Sequence, residues 1–394
     1  MTWSVNTDTK YHTQDTSYYC GAASAMMVLA DIGVPYADLD QDDLYTSNNS
    51  HNIQPGWATD PYGLQFTLID RRPPGFTNTF LVYKPTTEAE GTRKIVHTLR
   101  NYGVPPAVLV YHCMHWIVVC GVQTDVDPST GPYTVDGFWV NNPVWYDDGN
   151  PPPHDDSDAC GSGGVHGLGN QFISYATWQG TYFTGCNYDD PTGASQYISV
   201  CDPQVPKIQL PQKRLSKFPA DGRTILKPDK AVKLALAGIE EYNLSENKFA
   251  TEIIKNTRPG HPQQVVRLDR PNEYYYLVPL ESDEGTVALA QVDARYGVFN
   301  SLQLLTQPVN EWFTPRETVM KRLEGRKFEL ADDAGRLTVH PGTYCLSPTL
   351  VWMPCRQSYS PHLPFYKLTV GGQNIYIRTD GEVFTNLTTT GRGV

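Results

Sequence analysis

The chain has 394 residues, 40% hydrophobic and 11% aromatic, with a formal net charge of −11. That length exceeds one average domain, and the apolar, aromatic-rich composition excludes a disordered polypeptide. The sequence has no apolar stretch long enough to span a bilayer and no signal-peptide pattern near its start, and residues 1–204 hold 7 Lys and Arg against 22 Asp and Glu, an acidity that argues against nucleic acid as a partner of that half.

The first strong pattern is QDTSYYCGAASAMMVLADIG at 14–33. Ala22, Ala25, Met26 and Leu29 fall at helical spacing, and Gly33 with Pro35 stops the run. Cys20 therefore opens a buried helix. Unpaired N–H groups at a helix start favour a negative charge, so a reactive thiolate is expected there. Gly21 is expected to let a substrate approach the backbone, and Gln14 to place an amide donor beside the sulfur. The alternative from this stretch alone is an inert core cysteine.

Asp38, Asp40 and Asp42 alternate like a calcium loop, but Asp43 stands where that loop needs glycine, so an exposed helix start is the better reading. GWATDPYGLQFTLID (56–70) reads as a turn followed by a helix, with Trp57, Tyr62 and Phe66 available to pack on the Cys20 helix or to line a cleft. Residues 88–102 form an amphipathic helix ended by Gly103, with Ile95, Val96, Leu99 and Tyr102 on its apolar side.

PPAVLVYHCMHWIVVCGV (105–122) reads as two strands broken near His112–His115, which puts His115 and Trp116 at a strand start. The next strand ends at Asn141–Asn142–Pro143. A thiol on a helix start, an imidazole on one strand and an amide on the next suit nucleophilic thiol catalysis. Residues 146–170 read as a long Pro/Gly/Asp loop at the rim of the cleft. His154, Asp155, Asp158, Cys160 and His166 in it follow no zinc spacing, so neither metal nor cofactor is expected. Short strands in 172–189 and 196–203 close the first unit.

A Pro/Lys-rich linker is expected at 205–227, then a smaller α+β unit at 228–394. Its helices are placed at 228–244 and 313–325. Its strands are placed at 273–282, 286–305, 341–354, 364–370 and 373–386. Two helix-plus-antiparallel-sheet repeats would be similar in outline to cystatin-like or propeptide-type modules. His261, His340 and His362 form no catalytic set there. Eight cysteines are too few for a disulfide scaffold; Cys345–Cys355 and Cys186–Cys201 are the pairs that could bridge, and Cys113 and Cys120 read as core thiols. The compartment is left open.

Gln14, then Cys20–Gly21, then His115–Trp116, then Asn142–Pro143, in that order, resemble the papain superfamily. The pattern is most similar to its bacterial branch akin to peptidases that process double-glycine leader peptides. The resemblance covers roughly residues 5–202. It implies a two-lobe α+β catalytic domain at 1–204. Cys20 would be the nucleophile, His115 the base, Asn142 the orienter with Asn141 competing for that role, and Gln14 an oxyanion donor. Gly21, Trp57, Tyr62 and Trp116 would border a peptide or protein substrate. The implied activity is peptide hydrolysis. A transferase or deamidase with the same triad, or a catalytically idle peptide-binding module, are the alternatives. The more basic second half is expected to regulate the acidic first half or to recruit its substrate.

Overall fold

The structure is a computed structural model, and it describes residues 2–144, 168–214, 217–310, 348–370 and 372–393, with 312–313, 321, 323, 325, 327–329 and 336–338. The loop at 146–167 with its five metal-capable residues, most of the expected helix at 313–325, His340 and Cys345 lie outside the described residues.

The first half begins with β1 (Trp3–Asn6) and α1 (Cys20–Asp31). α2 (Gln41–Ser50) and α3 (Pro61–Arg71) pack on α1 as a small helical layer. Every α1 residue from Cys20 to Leu29 is buried, as its run of Ala and Met demands. Asp40 caps α2 by accepting the Asp43 N–H at 3.0 Å, which is the helix-start reading of the acidic alternation. Asp60 caps α3 through the N–H groups of Tyr62 and Gly63, and Pro61 takes the first helical position.

Next come β2 (Leu81–Tyr83), α4 (Glu88–Tyr102), β3 (Ala107–Val110), β4 (His115–Thr124), β5 (Val135–Asn141), β6 (Gln171–Ser174), α5 (Tyr175–Thr177) and β7 (Ser199–Cys201). The expectation of strands across 172–189 holds only for β6. The chain then turns helical through Tyr182, because Tyr175, Trp178 and Tyr182 recur at helical spacing and bury together on one side.

The second half carries α6 (Pro228–Glu241), α7 (Thr251–Ile254), β8 (Arg258–Pro259), β9 (Gln263–Arg267), β10 (Tyr274–Ser282), β11 (Gly285–Asp293) and β12 (Phe299–Val309). It continues with β13 (Lys327–Glu329), β14 (Arg336–Thr338), β15 (Thr349–Trp352), β16 (Phe365–Val370), β17 (Gln373–Arg378) and β18 (Val383–Phe384). α6 lies on β10, β11 and β12, one helix on an antiparallel sheet.

One sheet runs through both halves in the order β18-β17-β16-β15-β9-β10-β11-β12-β6-β5-β4-β3-β7-β2. Its pairs are antiparallel except β15 with β9. The join is β6 against β12, with Ser301 opposite Ile173 and Gln303 opposite Gln171. Trp139 and Phe172 from the first half share a core with Ala235, Ile239, Tyr242 and Leu302 from the second. The opposite charges also meet, as Lys248–Asp8 at 2.6 Å and Arg214–Asp136 at 3.0 Å. These pairs are partly exposed and add little beside the ladder and the shared core.

The cysteine pairing differs from expectation. Cys113, read as a core thiol, is bonded to Cys186, whereas Cys201 and Cys355 are free and buried. Spacing along the chain favoured a local Cys186–Cys201 link, but β3, β4 and β7 lie side by side and bring the 111–114 turn to the 184–186 loop instead.

Candidate active site

α1 lies across β4, so the first residue of the helix meets the first residues of the strand. The N–H of Trp116 donates to the Cys20 sulfur at 3.3 Å. His115, one residue earlier, points its Nε2 at the Oδ1 of Asn142, 2.8 Å away. A carbonyl oxygen can only accept, so Nε2 carries a proton, and whenever the ring is neutral its basic atom is Nδ1. Asn141, the competing orienter, is otherwise engaged: its Nδ2 donates to the Thr9 carbonyl at 3.1 Å and its Oδ1 accepts from the Asn170 N–H at 3.2 Å.

Gln14 is tied to the same corner. Its backbone N–H donates to the Pro143 carbonyl at 2.8 Å, and its Nε2 donates to the Thr16 carbonyl at 2.8 Å. Its Oε1 is buried without a hydrogen-bond partner. Gln14 and Tyr359 line a pocket of about 280 Å³ together with Arg356, Arg378 and Phe384. The Tyr359 hydroxyl is a second buried group without a partner.

Tyr359 carries no local sequence mark that would single it out. It arrives from the loop between β15 and β16 and lies flat on the His115 ring, centroids 4.5 Å apart and planes 17° apart. Its carbonyl accepts from Asn142 Nδ2 at 3.0 Å, so Asn142 bridges His115 and this loop. Nothing in SYSPHLP (358–364) resembles a catalytic signature; only the sheet that joins the halves brings it here.

This corner is closed. Cys20, His115 and Asn142 are all fully buried. Burial pushes the Cys20 thiol up to about 12, and the N–H groups of Trp116 and Gly21 only partly oppose that. The expected thiolate is therefore corrected to a neutral thiol in this arrangement: loss of water outweighs the helix start.

The four residues expected to border substrate divide. Gly21 is buried under Thr59, and a Cβ there would lie 2.5 Å from the Thr59 Cβ, so its missing side chain admits Thr59 rather than a substrate. Trp116 is fully buried, with its indole Nε1 donating to the Thr59 carbonyl at 3.0 Å. Tyr62 is half-buried against Tyr188 and Lys84. Trp57 packs edge-on against Tyr188 and offers a face to Arg392. Phe66 is 40% exposed and stacks on His51, away from this corner.

Among the described residues no group of three or more His, Cys, Asp or Glu is placed to hold a metal ion, and no helix is long and apolar enough to cross a membrane. No protein-family model matches the chain, no curated protein matches it, and no solved structure matches it.

Proposed function

We propose that this chain is a papain-like cysteine peptidase that hydrolyses peptide bonds through Cys20, His115 and Asn142. The observation that carries the reading is the His115–Asn142 hydrogen bond, made one residue before the backbone N–H that contacts the Cys20 sulfur. Asn142 holds the ring with Nδ1 as its basic atom. His115 takes the Cys20 proton as sulfur attacks the carbonyl carbon. The C–N bond then breaks, and the departing amine receives that proton. Water, activated by the same ring, splits the thioester to a carboxylic acid and restores the thiol. The Gln14 amide and the Cys20 N–H are the oxyanion donors, each worth about 3 kcal/mol of barrier. Gln14 must turn its Nε2 from Thr16 to serve.

The test is hydrolysis of a peptide mixture by the full chain and by Cys20→Ala. New amino termini are expected from the first and none from the second, with equal thermal stability. Equal cleavage by both ends the proposal.

The buried, neutral thiol favours a second reading, in which the site binds peptide without turning it over. Reaction of Cys20 with iodoacetamide separates them. A sulfur that stays unreactive even when a peptide substrate mixture is present supports the idle module.

A further inference from the structure

Residues 388–393 leave β18 and run back to the first half, where they lie along the turn before α3. The Ala58 N–H donates to the Arg392 carbonyl and the Thr59 N–H to the Gly393 carbonyl, both at 3.2 Å. The Gly393 N–H donates to the Cys113 carbonyl at 3.0 Å. Three backbone hydrogen bonds thus hold two residues between the helical layer and the β3–β4 turn. The Arg392 guanidinium lies 5.7 Å from the centre of the Trp57 ring. Gly393 is buried at φ +61°, against the Thr59 carbonyl and the Trp116 indole nitrogen. A Cβ on Gly393 would overlap the Thr59 carbonyl oxygen, so the seat admits glycine alone.

This seat adjoins the sulfur. Thr59, which covers Gly21, and Trp116, whose N–H contacts Cys20, are the same two residues that wall in Gly393. The segment is also anchored upstream: the Arg356 N–H donates to the Thr388 carbonyl at 2.9 Å, and the Thr388 N–H donates to Gln357 Oε1 at 2.8 Å.

We propose that the groove formed by Trp57, Ala58, Thr59, Cys113 and Trp116 is a binding site for peptides bearing an Arg–Gly pair, and that residues 388–393 are its intramolecular occupant, in competition with such peptides. The backbone bonds supply affinity without sequence preference, as in strand addition. Trp57 selects arginine through its ring face, and the half it belongs to carries an excess of acidic residues that suits a cationic ligand. The Thr59 carbonyl selects glycine by excluding every side chain. Binding stands independently of catalysis; that the groove delivers peptide to Cys20 rests on the peptidase reading.

The test uses the full chain and a fluorescent peptide with the sequence Thr-Thr-Thr-Gly-Arg-Gly-Val, on a Cys20→Ala background so that the probe survives. Gly393→Val should expel the occupant and tighten probe binding about tenfold or more, since an intramolecular competitor acts at an effective concentration near millimolar. Replacing arginine in the probe by alanine should weaken binding about three- to tenfold. Replacing its second glycine by alanine should weaken it about tenfold or more. With Cys20 restored, Gly393→Val should also raise the rate of Cys20 alkylation. Unchanged probe affinity in Gly393→Val, or equal binding of the glycine-to-alanine probe, overturns the proposal. Probe binding without hydrolysis of any peptide by the Cys20 form leaves the groove standing and removes the peptidase reading. Hydrolysis of peptides by the Cys20 form together with no probe binding to Gly393→Val does the reverse.

Discussion

The Tyr359 ring lies on the His115 ring at 4.5 Å while the Tyr359 carbonyl holds the Asn142 amide at 3.0 Å. One residue of the second half therefore touches both His115 and Asn142, and it lies close enough to Cys20 for their charges to interact. This contact gives physical content to regulation of the first half by the second. The proposed regulator sits on the imidazole as well as along the groove.

If Tyr359 helps to keep water from the sulfur, removing its ring should lower the thiol pKa from about 12 towards the ordinary cysteine value near 8.5. Tyr359→Ala should raise the rate of Cys20 alkylation at neutral pH on the order of a hundredfold, in proportion to thiolate. The pH profile of alkylation by mass spectrometry, read at the Cys20 peptide, measures both quantities. A wild-type thiol that already alkylates as fast as free cysteine would contradict the closed site.

His362, three residues beyond Tyr359, fastens the same loop. It is fully buried, with Gln171 Nε2 at 3.4 Å from its Nδ1 and Ser301 Oγ at 3.2 Å from its Nε2, both neutral. Burial pushes its pKa down to about 3. The unfolded chain binds a proton near pH 6.5 and the native one does not, so this residue's contribution is intact above that value. It is lost as pH falls from 6.5 towards 3, at up to about 1.4 kcal/mol per unit. His362→Gln should remove that slope. Urea unfolding of the two proteins from pH 8 to pH 4.5 should show the wild type losing ground to the variant on the acid side. Parallel curves would mean that the imidazole is not held neutral.

Asp31, at the end of α1, works with the opposite sign. Its carboxylate accepts from Thr9 Oγ1 at 2.7 Å, yet burial, aided by the charge of Asp8, raises its pKa to about 6. The native state favours the protonated acid, so stability falls as pH rises from about 4 through 6. Asp31→Asn keeps an oxygen for Thr9 and removes the charge. It should stabilise the chain by about 1–2 kcal/mol at pH 7.5, allowing for partial exposure, and by nothing near pH 3.5. Thermal unfolding at the two pH values checks it, and an equal effect at both would assign the change to packing.

Much of the corner that holds Cys20, His115 and Asn142 was legible because each residue is marked locally. Cys20 starts a run of small apolar residues, His115 starts a β-prone run, and Asn142 precedes a proline. Short-range periodicity fixes such positions. Tyr359, the Gly393 seat and the Cys113–Cys186 bond were not legible, since each depends on which strands pair. Alternation along β6 and β12 says that both are strands and nothing about their being neighbours. The ionisation of Cys20 was misread for a related reason. A helix start is visible in the sequence, whereas its burial in one cluster with Trp57, Cys113, Trp116 and Val200 from other elements is not.

The β3–β4 turn that delivers His115 is held in an unfavourable shape. Tyr111, His112 and Cys113 all have positive φ, at 53°, 56° and 64°, which costs about 1–2 kcal/mol for each side-chain-bearing residue. Hydrogen bonds from the Tyr111 N–H to the Tyr182 carbonyl and from the His112 N–H to Thr184 Oγ1 hold it, and the Cys113–Cys186 bond ties it to the same loop. That crosslink spans 73 residues, so its loss should destabilise the chain by about 3–4 kcal/mol. It should also loosen the Cys113 carbonyl that accepts from Gly393. Unfolding midpoints of the wild type with and without dithiothreitol should differ accordingly, while Cys113→Ala/Cys186→Ala should be insensitive to the reductant. Hydrogen exchange should rise first at 111–114 and 184–186 in the reduced protein. If reduction leaves both the midpoint and that exchange unchanged, the hydrogen bonds alone hold the turn, and the bond to Cys186 is incidental to the placement of His115.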